Sequence, residues 1–169
     1  EARVKEGEKN LKLITDNMLD MICYADNLDR YQYVSPSVEG ILGYKPEEMI
    51  GKSIYDFLHP EELSIVKDNM NKSKESLSLG RMEFRYRMAD GEYIWLEIVG
   101  RILCDQADNE ILGSVFGARD ISDRKNIEKE LIRQQKSMEA LFRNSTDAIA
   151  FLDIQRKIID INESFTKLF

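Results

Sequence analysis

The chain has 169 residues, 43% of them hydrophobic and 33% charged, with a net charge of −7. That apolar content supports a packed core and excludes a wholly disordered chain, while no apolar run approaches the roughly 18 residues that a membrane helix needs. The acidic balance argues against a nucleic-acid surface, where phosphate contacts favour basic patches. The chain opens Glu1-Ala2-Arg3-Val4, with neither an initiator methionine nor an apolar leader. It is therefore expected to be an excised piece of a longer protein.

The first predicted element is a helix over residues 4–18, with Val4, Leu11, Ile14 and Met18 on a short heptad-like seam of an otherwise charged surface. A strand follows over 20–26 and a second over 31–35. Ser35-Pro36-Ser37 then offers a cap and a proline for a short helix that stops at Gly43. Pro46 to Gly51 repeats that punctuation, with acids in the first turn. An apolar turn over 54–58 leads to His59-Pro60-Glu61-Glu62, where a longer helix begins with Leu63, Val66 and Met70 on one face. The paired acids Glu47-Glu48 and Glu61-Glu62 are expected to serve the helix macrodipole.

After Gly80 the period changes to two: Met82, Phe84, Tyr86 and Met88 alternate with charged residues. Asp90-Gly91 signals a hairpin. A strand over 93–103 and another over 111–119 complete a three-strand meander. Two strands, a helical insertion and a meander predict an α+β domain, a five-stranded antiparallel sheet with helices on one face. The outward Arg85, Arg87, Arg101 and Arg119, beside Glu83, Glu97 and Trp95, read as a solvated face in cross-strand pairs or one covered by the first helix. From Asp123 a charged helix carries Ile127, Leu131, Met138 and Leu141 on a seam, with Gln134 at its polar position, and is expected to want a partner.

Sliding the chain on itself by 127 positions aligns Asn17, Asp20, Ile22, Asp26 and Ser37 with Asn144, Asp147, Ile149, Asp153 and Ser164. The order of charged helix, strand, turn, strand and capped helix recurs with them. This predicts a tandem array whose second unit is cut off at Phe169. Its two strands lack a meander to pair with, so they are expected to need other packing to persist.

Three segments carry a family resemblance. They are Ile41-Leu42-Gly43-Tyr44 with Pro46 to Lys52 and His59-Pro60-Glu61-Glu62; Phe84-Arg85-Tyr86-Arg87 with Asp90-Gly91 and Ile94-Trp95-Leu96-Glu97; and Ala118-Arg119-Asp120-Ile121-Ser122-Asp123-Arg124. In this order and spacing they resemble the PAS superfamily, particularly its sensor-kinase branch. The last segment is similar to that family's Asp-Ile-Thr exit motif. The resemblance implies a connector helix at 1–18, a PAS domain at 19–121, a signalling helix at 122–143 and the start of a second PAS domain at 144–169.

It further implies a cavity under the helical cap, lined by Cys23, Ala25, Phe84, Tyr86, Leu96, Ile98, Phe116 and Ala118 and closed by Leu63, Val66 and Met70. It implies a signal junction at Asp120, Ile121, Ser122 and Arg124, with Asp120 pairing with Arg124 one turn on. No cofactor is named. Haem-binding members usually place their histidine within the cap helix, whereas His59, the only histidine, precedes Pro60 at the helix entry. The flavin-binding branch needs a cap cysteine, and residues 37–76 contain none. A lone histidine supports no zinc site, and nothing resembles a nucleophile elbow, so no catalytic residue is assigned.

Cys23 and Cys104 are 81 positions apart, neither a disulfide framework nor a metal spacing. They read as buried hydrophobes of a reducing, cytoplasmic compartment. The expected function is a sensory input module, homodimeric through its flanking helices and passing ligand or state changes through the exit helix to a histidine kinase or other effector. A small, mostly apolar ligand is the partner that such a cavity suits. The runner-up is a dimerisation spacer with a filled core.

Overall fold

The computed structural model describes residues 20–78, 80–105, 107 and 110–168, in two units, Glu1–Ser122 and Asp123–Phe169. The helix expected over 4–18 lies outside the described residues.

Strand β1 (Met21–Asp26) buries Met21, Cys23 and Ala25 on one face, as alternate side chains of a half-buried strand must. Its end is set by Asp26, whose Oδ1 accepts the amides of Leu28 and Arg30, each at 2.9 Å. Asp29 then adopts a left-handed φ of 60°, a region that aspartate tolerates better than most residues. The chain returns as β2 (Tyr31–Val34).

Helix α1 (Val38–Leu42) stops at Gly43, with φ 76°, the usual glycine ending. Its expected serine cap is not used: Ser37 Oγ lies 2.7 Å from Ser35 Oγ and donates to the Asp20 carbonyl at 3.1 Å. Helix α2 (Pro46–Met49) carries proline in its first turn. The 3-10 turns Ile54–Phe57 and Pro60–Glu62 lead into α3 (Leu63–Ser76), which buries Val66, Met70 and Ser73.

The meander comprises β3 (Gly80–Arg87), β4 (Tyr93–Cys104) and β5 (Ile111–Asp120). The sheet is antiparallel throughout, in the order β2-β1-β5-β4-β3. Side chains from β1 and the meander meet Val38, Leu42, Met49, Val66 and Met70 of the helical cap in one core. The expected α+β architecture is the one observed. One position demands glycine: at Gly113 (φ 150°) a Cβ would stand 2.1 Å from the Ala25 carbonyl oxygen.

The second unit holds nearly all of α4 (Ser122–Asn144), then β6 (Ala150–Leu152), β7 (Ile158–Ile161) and α5 (Glu163–Leu168). β6 and β7 pair antiparallel with each other. The first unit's turn recurs 127 positions on: Asp153 Oδ1 accepts the amides of Gln155 and Lys157 at 2.9 Å, and Arg156 takes the left-handed φ of 64°. Leu152, Ile154, Ile158 and Ile159 are all more than half exposed.

Candidate functional site

Beneath α3, the sheet and cap enclose a small void of ≈20 Å³ for the centre of a water-sized molecule. Val66 and Met70 wall it from the cap, while Phe84, Tyr86, Ile98 and Phe116 wall it from the meander. Those six were anticipated. Cys23, Ala25, Leu96 and Ala118 are fully buried in the surrounding core without lining the void, and Leu63 is only partly buried against that core. Sequence reasoning missed Tyr31, Ile54, Leu58 and Met82, which complete the wall. Leu58 arrives through a bridge to Tyr86, a long-range pairing that no local periodicity reports.

The wall's polar groups are two phenols. Tyr31 and Tyr86 place their hydroxyls 2.7 Å apart, and Tyr86 donates to the Ile54 carbonyl at 3.1 Å. This ordering makes Tyr31 the donor to Tyr86, so both protons are committed. Phe57 stacks on Tyr86 with centroids 5.6 Å apart and fixes its ring. Burial pushes both phenols well above the ordinary tyrosine range, and pushes the Cys23 thiol up as well. The lining is therefore neutral throughout the physiological range. A flavin or haem ring does not fit it: the packed aromatic walls would have to separate by far more than this void allows. His59 does not face the void's chemistry either. Its Nδ1 accepts the Glu61 amide at 3.3 Å as a helix cap, and its ring meets Tyr93 edge-on at 4.7 Å. No group of histidine, cysteine and acidic side chains among the described residues is placed to hold a metal ion.

The acids at the cap entry do more than face a macrodipole. Glu62 Oε1 accepts Arg85 Nε at 2.7 Å, Glu61 Oε2 accepts Arg85 Nη2 at 2.8 Å, and the second oxygen of Glu62 takes the Arg85 amide. Hydrogen bonds from Arg85 hold the Glu61 carboxyl below its ordinary range. The cap's other end is tied by Asp29, whose Oδ2 lies 2.8 Å from Lys74 Nζ and 2.9 Å from the Tyr55 hydroxyl. On the outer face, Arg119 grips Asp20 with two bonds of 2.9 and 2.7 Å.

At the junction, the Ile121 amide donates to the Trp95 carbonyl at 2.9 Å and the Trp95 amide donates to Ser122 Oγ at 3.0 Å. Asp120 Oδ1 accepts the Ser122 amide at 2.8 Å, where a pair with Arg124 was expected; Arg124 Nη1 lies 3.4 Å from Glu128 Oε1. A short carboxylate reaches the amide two residues on more readily than a guanidinium one turn away.

A family profile described as PAS fold matches residues 31–115, half of the chain, and a second, described as PAS domain, matches residues 136–169. The chain belongs to the PAS family. It is a sensory signal-transduction module, similar over 99% of its length, at 29% identity, to sporulation kinase E of Bacillus subtilis, of which it covers 22%. White collar 2 protein of Neurospora crassa is 32% identical over 87 residues, 52% of this chain and 16% of that protein. This PAS chain thus spans about a fifth of the length of these relatives. The same fold occurs in a sensory box histidine kinase/response regulator from Burkholderia thailandensis, with a TM-score of 0.64 and 22% identity over 78% of this chain and 99% of that one.

Proposed function

We propose that the first PAS unit is the input of a histidine kinase, and that occupancy of its void is the signal. The observation that carries this is the composition of the wall: α3 of the cap and strands β3, β4 and β5 all contribute to one neutral void, so a guest acts on cap and sheet together. With both phenol protons committed, the wall offers acceptors but no free donor, and no charge. Its guest is small, neutral and mostly apolar, with at most one donor group to place on the Tyr31–Tyr86 pair.

The residues that hold such a guest are Val66, Met70, Phe84, Tyr86, Ile98 and Phe116, with Cys23, Ala25, Leu63, Leu96 and Ala118 packed behind them. The output leaves through Asp120, Ile121, Ser122 and Arg124 into α4, whose seam residues Ile127, Leu131, Met138 and Leu141 are each at least 65% exposed. That exposure supports a homodimer through α4. The recurrent turn at Asp153 supports a tandem arrangement with a second PAS unit beginning near 144. Phosphotransfer belongs to other parts of the parent kinase, since His59 is the only histidine and it caps a helix. The free cysteines Cys23 and Cys104 suit the cytoplasm, and no helix among the described residues is long and apolar enough to cross a membrane.

A second reading, a spacer with a filled core, is favoured by the size of the void, about one water-sized volume. Methyl-labelled methionine NMR under xenon pressure separates the two. Saturable shifts at Met70 and Met82 support a void that takes guests. An unmoved pair of methyls sinks the input reading and leaves the spacer.

A further inference from the structure

A row of residues that crosses the sheet links the entry of the cap to the start of the exit helix. In the register of β3 and β4, Arg85 stands opposite Trp95, and in that of β4 and β5, Leu96 stands opposite Asp120, which sets Trp95 level with Ile121. The backbone of Arg85 is used on its outer side. Its carbonyl accepts the His59 amide at 3.0 Å, and its own amide donates to Glu62. The backbone of Trp95 is used on the opposite side, by Ile121 and Ser122. Arg85 and Trp95 are therefore a non-hydrogen-bonded pair, the kind in which antiparallel strands bring side chains closest.

What joins them is a side-chain contact. The Arg85 guanidinium lies 5.7 Å from the centre of the Trp95 ring, a cation–π distance, while its nitrogens are held by Glu61 and Glu62. Leu58, which lines the void and bridges to Tyr86, immediately precedes His59. The 3-10 turn that leads into α3 thus holds Arg85, Arg85 covers Trp95, and the peptide groups of Trp95 hold Ile121 and Ser122 at the entry to α4.

We propose that Arg85 is a positioning residue for signal output: its guanidinium couples the cap entry at His59–Glu62 to the start of the exit helix at Ile121–Ser122 through Trp95. This rests on the reading that void occupancy is the input. A shift of Leu58 and the cap entry displaces the guanidinium, and the indole passes that displacement to the two hydrogen bonds that fix the exit. Coupling of this kind is a claim about energies between residues that do not touch, so only non-additivity tests it.

The experiment measures amide hydrogen exchange at Ile121 and at position 95, the donors of the two junction bonds, in the whole chain, for Glu62→Gln, Trp95→Leu and the double variant, with Arg85→Met and Arg85→Lys beside them. The expected result is that Glu62→Gln speeds exchange at Ile121 and at the position 95 amide about threefold to tenfold, and that this effect vanishes once Trp95 is Leu. Arg85→Met should reproduce the effect with Leu96 exchange unchanged, and Arg85→Lys should restore only part of the protection, lacking the planar face. Additive effects, or an equal loss of protection along all of β4 and β5, would overturn the coupling. Xenon supplies the second readout. In the wild type it should shift the Met70 and Met82 methyls and also the Ser122 amide; in Arg85→Met it should shift the methyls alone. Methyl shifts with no Ser122 response in the wild type, or with an undiminished one in Arg85→Met, overturn the coupling while the input reading stands. Unmoved methyls in every variant overturn the input reading, and the exchange cycle then decides the coupling by itself.

Discussion

Lys74 and Asp29 offer the sharpest test of what holds the cap on the sheet. Their side chains are 20% and 10% exposed, with 2.8 Å between Nζ and Oδ2. Asp29 Oδ1 is buried without a hydrogen-bond partner, so the lysine is the carboxylate's main compensation, with the Tyr55 hydroxyl second. Replacing Lys74 with Met strands a buried charge and should cost about 3 kcal/mol, the low end for a broken buried pair because this one is partly wet. Asp29→Asn removes the charge instead. It keeps an oxygen for Tyr55 and Lys74 and tolerates the left-handed φ of 60°, so it should cost only about 1 kcal/mol. Trp95 is the only tryptophan and lies in β4, so its fluorescence during urea unfolding reports the first unit alone. With a slope near 2 kcal/mol/M, the midpoints should fall by about 1.5 M for Lys74→Met and about 0.5 M for Asp29→Asn. Once the carboxylate is gone the lysine has little left to compensate, so the double variant should lie within about 1 kcal/mol of Asp29→Asn. Equal costs for the two single changes, or simple additivity, would refute the buried-charge account.

Three further expectations follow from individual contacts. Gly113→Ala drives a Cβ into the Ala25 carbonyl oxygen and should cost more than about 3 kcal/mol or abolish folding of the first unit, whereas Gly117→Ala, with its nearest atom at 3.6 Å, should fold; circular dichroism melts compare them. Hydrogen bonds from Arg119 depress the Asp20 carboxyl; at Asp26, burial opposes the shift but bonds from Arg30, Gln32 and Leu28 outweigh it. Depressed carboxyls add stability that is full above their unfolded value of 3.8 and is lost as pH falls through the lower folded values, so an acid titration of the melting temperature should decline across and below that range, and Asp20→Asn should flatten part of it. Asp120→Ala removes one exposed bond to the Ser122 amide and should leave the melting temperature within a few degrees of wild type while changing the parent kinase's output; unchanged output would remove Asp120 from the junction.

Much of the fold could be read from periodicity and punctuation. The alternation from Met82 to Tyr86 and the Gly43 stop are local signals, and the local rule prevailed at both. The inward set of the meander followed from the period of two. The void's remaining lining did not, because Tyr31, Ile54 and Leu58 reach it through chain reversals that bring residues over twenty positions apart together. The acids Glu61 and Glu62 show the same limit: a helix-start rule explains their presence, but their partner, Arg85, lies on a strand that the sequence alone does not place beside them. Asp120 shows the converse. A rule for pairs one helical turn apart looked to Arg124, while the structure uses the shorter path to the Ser122 amide.

The two units solve one local problem with different residues, and this gives a test of their equivalence. In the first, Ser35 Oγ accepts the Ile22 amide at 2.8 Å, and Ser37 carries the connection on to the Asp20 carbonyl. In the second, 127 positions later, Asn162 does both tasks alone: Oδ1 accepts the Ile149 amide at 2.9 Å and Nδ2 donates to the Asp147 carbonyl at 2.8 Å. Two serines stand where one asparagine suffices, because an amide carries both an acceptor and a donor on one side chain. Ser35 and Asn162 are both at most 1% exposed, so a lost bond leaves a buried group unsatisfied. Ser35→Ala should therefore cost about 2 kcal/mol by stranding the Ile22 amide, and Ser37→Ala about 1 kcal/mol. If the two turns are one structure written twice, Ser35→Asn should be tolerated beside an intact Ser37, as Asn162 is beside Ser164, whose Oγ donates to the Ser145 carbonyl instead, and it should be restorative next to Ser37→Ala. Urea midpoints read by Trp95 fluorescence decide it. A Ser35→Asn/Ser37→Ala protein less stable than Ser37→Ala would mean that the two turns share a backbone path but not the packing around it.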